Sequence, residues 1–164
     1  MNNELQIEIN NIDKLNDINE LNNILKKCVL LFEMEAVVYI FDYIKINKYV
    51  PNDTTYKLIN TLHSKTIQEN NKLIIPDNGK KKLQARRRIH KIMKGYNYSQ
   101  ALKNKDIVIN YLNNNKYYYN GKEKKQESIL INLLKKECRL PLSDIKYIII
   151  YLKRTKFFNK KINN

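Results

Sequence analysis

The residues of this chain best equipped for chemistry lie in one run, Lys80 to Tyr96, KKKLQARRRIHKIMKGY. Lys80, Lys81 and Lys82 open it, Arg86, Arg87 and Arg88 follow, and Lys91 and Lys94 complete eight cations with no acid among them. Ala85, Ile89, Ile92 and Tyr96 recur on one stripe at about 100° per residue, which predicts an amphipathic helix that Gly95 ends. Gln84, Arg87, Lys91 and Lys94 fall on the opposite side, and Arg86 and Arg88 flank the stripe. Three lysines in a first helical turn oppose the helix macrodipole, a cost that a nearby anion removes. The planar fork of Arg suits phosphate and stacked bases better than Lys does, and three of the five arginines sit here. The expected chemistry is phosphate contact. If Z of these cations engage, affinity falls with salt at a log–log slope of about −0.7Z for single strands and about −0.9Z for duplex.

A second cationic run surrounds Tyr117, Tyr118 and Tyr119, with Lys116, Lys122, Lys124 and Lys125 interleaved. Asn113 to Lys125 has the low complexity of a flexible loop, in which the tyrosines would stack on exposed bases. Catalytic patterns are missing from the sequence: it has no phosphate loop, HExxH, nucleophile elbow or clustered His/Cys set. His63 and His90 stand far apart along the chain and read as surface or boundary residues. A non-enzyme without metal or other cofactor is expected. Cys28 and Cys138 form no CxxC pair, so two reduced thiols in helical cores are expected.

The wider composition explains part of this cationic character and leaves part over. Asn, Lys, Ile and Tyr supply just over half of the 164 residues, the imprint of a very AT-rich gene. Such a bias acts along the whole chain, yet the charge is polar. Residues 1–79 hold eight Lys against eleven acids, a net of −3; residues 80–164 hold 23 Lys or Arg against five acids, a net of +18. A basic half joined to a near-neutral half is the footprint of polyanion binding. With only three Gly and three Pro, turn-dense β-sandwiches and glycine-rich phosphate loops are disfavoured. The apolar stretches are too short to span a bilayer, and the acidic, Asn-rich N-terminus is unlike a secretory signal. An intracellular compartment, cytoplasmic, nuclear or viral, is expected.

The elements that must position the cations read as helices. Leu5, Ile7 and Ile9 alternate, which permits a short strand or a loose lead-in. Asp17 with Glu20 makes a capping-box start, and Leu21, Ile24, Leu25, Cys28 and Val29 follow at helical spacing. After a break near residues 32–35, Ala36, Val37, Ile40, Phe41 and Ile44 carry a second helix, with Asn47 a left-handed stop. Asp53 or Thr54 caps a third, bearing Leu58, Ile59 and Leu62, and Pro76 to Gly79 is the clearest loop signal. Beyond the basic helix, Ser99 caps another with Leu102, Ile109 and Leu112. A final hairpin places Ile129, Leu130, Leu133 and Leu134 against Ile145, Ile148, Ile149 and Leu152, its second arm capped by Ser143 or Asp144. The fold class is all-α, with six or seven helices. A near-neutral region 1–78 and a basic region 79–164, with the loop at 113–125, are expected to pack as one compact unit.

Residues 18–59 resemble a pentatricopeptide repeat, on the string AVVYIFDYIKINKYVPNDTTYKLI from Ala36 to Ile59. Phe41 stands mid-helix, Pro51-Asn52 follows a short linker, and Leu21 and Tyr56 are 35 residues apart, the length such repeats use. Leu21 stands where an aromatic is common, the turn lacks the usual Gly, and only one repeat is complete. The resemblance implies a helical hairpin that binds RNA, with Asn22 and Asn52 in the base-reading positions and Lys57 beginning the next unit. The combined expectation is a nucleic-acid-binding protein, RNA preferred. The alternatives are a duplex-DNA packaging or transcription accessory protein of an AT-rich virus or parasite, and an adaptor whose basic face docks an acidic protein.

Overall fold

A computed structural model of the chain describes residues 1–69, 79–117 and 119–159, with the side chains of 68 and 69 also outside the description. The protein is all-α. Among the described residues are eight α-helices and two short 3-10 turns, and no strand. The helices are α1 (Asn3–Asn10), α2 (Ile18–Leu30), α3 (Met34–Ile46), α4 (Asp53–Glu69), α5 (Gly79–Leu102), α6 (Lys105–Asn114), α7 (Lys124–Cys138) and α8 (Leu142–Arg154). They fall into two compact units, Met1–Lys94 and Gly95–Asn164. The packing boundary at Lys94–Gly95 is thus a different boundary from the charge step at Gly79. The expected loop at Pro76–Asn78 lies outside the described residues.

The first unit is built on α2, α3 and α4. Asp17 accepts the Glu20 N–H at 2.8 Å, and the Glu20 carboxylate accepts the Asn16 N–H at 2.9 Å, a reciprocal cap displaced by one residue. Phe32 at φ 58° and the bond from Glu33 N–H to Cys28 C=O turn the chain from α2 into α3. Leu21, Leu25 and Cys28 on α2, with Val37, Ile40 and Ile44 on α3, are fully buried, the five aliphatic side chains each contributing about 1.5–3 kcal/mol by leaving water. Phe41 meets Tyr56 of α4 edge-on at 6.0 Å. Lys48 at φ 63°, not Asn47, takes the left-handed position after α3.

Residues 3–10 form a helix and not a strand. Leu5 and Ile9, four apart, are buried and Ile7 is 60% exposed, so the apolar alternation was one helical face plus one exposed residue. Asn2 caps it by accepting the Glu4 N–H. At the start of α4 the cap is Asn52, one residue before Asp53: its Oδ1 accepts the Thr55 N–H and Thr55 Oγ1 accepts the Asn52 N–H.

In the second unit, Leu130 and Leu134 of α7 pack with Ile145, Ile148, Ile149 and Leu152 of α8. Ile129 is instead 55% exposed, while Ile131 packs half-buried against this core. Arg139 adopts the left-handed conformation that ends α7, and Pro141 precedes α8, so Ser143 and Asp144 lie inside its first turn and do not cap it. Gly95 does not end the basic helix, which continues to Leu102, and Ser99 is interior to it.

Candidate nucleic-acid interface

The seating of α5 follows from its pattern. Ala85, Ile89, Ile92 and Met93 are buried, which turns the opposite side to solvent. Lys80, Lys81, Lys82, Gln84, Arg87, Lys91 and Lys94 are all exposed. At 100° per residue, Lys80, Gln84, Arg87, Lys91 and Lys94 form one row along the outer face, about 21 Å from end to end at 1.5 Å per residue. The helix has no acid in its first turn.

The other two arginines are placed differently. Arg88 donates to Asp42 of α3 at 2.6 Å, an ion pair partly exposed on both sides and worth about 0–1 kcal/mol. It positions the helix and is not a free cation. Arg86 is half-buried and engaged within the fold. Beside Arg88 a groove of about 500 Å³ runs between Glu35, Val38 and Asp42 of α3 and Lys81 and Ala85 of α5. Its walls carry both signs of charge, so the basic feature of this unit is the row itself.

Of the two residues expected to read bases, Asn22 is buried and Asn52 half-buried. Asn22 is 5% exposed and its amide donates to Asn52 Oδ1 at 3.0 Å, while the Thr55 hydroxyl donates to Asn22 Oδ1 at 2.8 Å. The three side chains tie α2 to the start of α4: Asn22 is enclosed with its amide engaged, and half-buried Asn52 has its Oδ1 committed to Asn22 and Thr55. Lys57 is exposed on α4.

The tyrosine run is also redirected. Tyr119 is 2% exposed and packs edge-on against Phe158 at 4.9 Å. Its hydroxyl donates to Glu127 at 3.2 Å, and Lys153 donates to the same carboxylate at 2.7 Å. Burial, with the Glu127 charge adding, pushes the phenol up to about 12. Tyr117 is half-buried against the same core, and Tyr118 lies outside the described residues. Tyr119 does not stand free to stack on a base, and Tyr117 keeps only part of its surface exposed.

One contact escaped the sequence reading. His63 of α4 and His90 of α5 meet, Nε2 to Nδ1 at 3.1 Å, with ring centroids 5.3 Å apart. They are 27 residues apart, and no local spacing signals the pairing. Burial first, and then the charge of His90, lower the His63 titration below its usual range.

Of the two thiols, Cys28 is buried and Cys138 half-buried; burial, then Glu33, raises Cys28 to about 11, far from a reactive thiolate. Among the described residues, no three or more His, Cys, Asp or Glu side chains converge to hold a metal ion, and no helix is long and apolar enough to cross a membrane. No family model matches this chain, and no match was found among curated proteins or solved structures.

Proposed function

We propose that this protein is a non-catalytic binder of nucleic acid, with RNA the preferred strand, and that it holds the phosphate backbone along the outer face of α5. The observation that carries the reading is the row Lys80, Arg87, Lys91 and Lys94, exposed together with Lys81 and Lys82 and without an acid in the run. Lys80, Lys81 and Lys82 in the first turn oppose the helix dipole and the cations of the row repel one another, and a phosphate strand relieves both repulsions at once. Gln84 lies within the same row and adds an uncharged donor for sugar or base edges.

The pentatricopeptide-type reading assigns base recognition to Asn22 and Asn52. That role would require their bonds to one another and to Thr55 to open. The strand is therefore assigned to α5, and recognition is dominated by charge rather than by a base code.

The test is binding of single-stranded RNA across a salt series, for the natural chain and for the Arg87→Ala, Lys91→Ala, Lys94→Ala triple variant. Removing three phosphate contacts should flatten the log–log salt slope by about 2 and lower low-salt affinity by one to two orders of magnitude. Unchanged affinity, or no salt slope in the natural chain, overturns the proposal. Stronger competition by duplex DNA selects the packaging or accessory reading. Failure of every nucleic acid to bind, with an acidic protein co-purifying, selects the adaptor.

A further inference from the structure

His63 and His90 face each other where α4 meets α5, at the edge of the cationic row. His90 is exposed, with Arg86, Arg87 and Lys94 one turn away on its own helix and Lys91 beside it. On α4 the residues one turn from His63 are Ile59, Asn60, Thr66 and Ile67, none of them charged, and Lys65 is the nearest cation. α2 packs on α4, and its Lys27 is engaged with Glu8, its Glu20 with the Asn16 N–H, leaving the exposed Lys26. The α3 carboxylates Glu35 and Asp42 flank Lys81 and Arg88 on the other side of α5 from His90, and Lys45 lies over Phe41. Among the described residues, no acid of these helices is paired with either imidazole.

A hydrogen bond between two imidazoles needs one N–H and one lone pair. The pair can take one proton on the outer nitrogen of the donor ring and keep the contact. A second proton would place hydrogens on both facing nitrogens and break it. His63 Nδ1 and His90 Nε2 lie on the sides of the rings away from the contact. The pair thus has outward N–H capacity on a helix face already lined with phosphate-binding cations.

We propose that His63 and His90 together form a phosphate subsite of the α5 interface, which binds by taking up one proton from solvent. The inference rests on the nucleic-acid reading above and names how that interface is regulated. Without a ligand, burial and then the second ring disfavour the proton on His63. A phosphate bound against the outward nitrogens places a negative charge beside the pair and favours its protonated form. Binding and proton uptake are then linked, and each strengthens the other. The free protein loses stability as the pH falls below about 6.5, because the unfolded chain takes the proton more readily than the folded one.

These are the chain's only two histidines, so little else titrates in this range. The experiment measures binding of a single-stranded oligouridylate, whose bases and phosphodiesters do not titrate there, at fixed salt between about pH 7.5 and 5.5. The natural chain should gain about tenfold in affinity toward the acid end, one pKa unit being one factor of ten. His63→Gln, His90→Gln and the double variant should each show no gain in affinity between the high and the acid end. The two imidazole C–H resonances of the natural chain, followed by NMR, should titrate higher when the oligonucleotide is bound, a readout that needs no variant. Salt-dependent binding with no pH effect overturns the subsite alone, as does a full pH effect in the double variant. Absence of binding at every pH overturns the nucleic-acid reading and the subsite with it.

Discussion

The α5 run Lys80–Lys94 and the segment Tyr117–Lys125 look alike in the sequence, each dense in cations with aromatic or apolar residues between them. The fold treats them oppositely. On α5 the apolar residues turn inward and Lys80, Arg87, Lys91 and Lys94 stay in water. Between α6 and α7 the most attractive base-stacking residue, Tyr119, is taken into the core and gives its hydroxyl to Glu127. The difference lies in what sets side-chain direction. In a helix the 3.6-residue period sets it, and the period is written in the sequence. In a connecting segment it is set by partners such as Phe158 and Glu127, which arrive only when distant parts of the chain have packed.

The comparison can be broken most visibly at Tyr119. Tyr119→Ala should lower stability by about 3–5 kcal/mol, as removal of a buried aromatic does, while the RNA binding proposed for α5 is expected to be unchanged in the protein that remains folded. Urea unfolding measures the first and anisotropy under native conditions the second. A tenfold loss of affinity with stability intact would return the tyrosines to the interface and erase the contrast.

A smaller effect is expected at Asn22. Asn22→Ala removes the two bonds that tie α2 to Asn52 and Thr55, leaves those two bonded only to each other, and should cost about 1–3 kcal/mol. Comparison of oligonucleotides differing in one base should show the same preferences as the natural chain. A changed base preference without a stability loss would instead support the pentatricopeptide-type assignment.

The smallest effect concerns the continuity of α5. Gly95 is interior to the helix, and a Cβ added there meets nothing within 4 Å. Gly95→Ala should therefore raise stability by about 0.5–1 kcal/mol, seen as a higher melting temperature. A decrease would mean that residue 95 departs from helix in solution and that the basic run ends there, as the glycine alone implied.

Much of the helical architecture was legible because amphipathic periods are local. The α2 and α3 faces, the Asp17–Glu20 cap and the α8 core face all follow from spacing within a dozen residues. The misreadings arose where a short pattern is ambiguous. Leu5, Ile7 and Ile9 fit a period of two, and only the burial of Leu5 and Ile9 together selects the helix. Gly95 reads as a terminator because glycine is a poor helix former, yet one such penalty of about 1 kcal/mol does not stop a long helix. At the start of α4, the reciprocal bond between Asn52 and Thr55 decides among several adjacent capping residues.

The sequence by itself determined the charge polarity, the amphipathic basic helix and the all-α class, because each is a property of neighbours along the chain. Tertiary structure alone decided which polar groups are available. It joined Arg88 to Asp42, tied Asn22 to Asn52 and Thr55, drew Tyr119 inward and brought His63 against His90. Each of these pairings closes a separation of between 8 and 46 residues. A side chain's freedom to meet a ligand depends on whether such a distant partner reaches it first, and no local pattern encodes that.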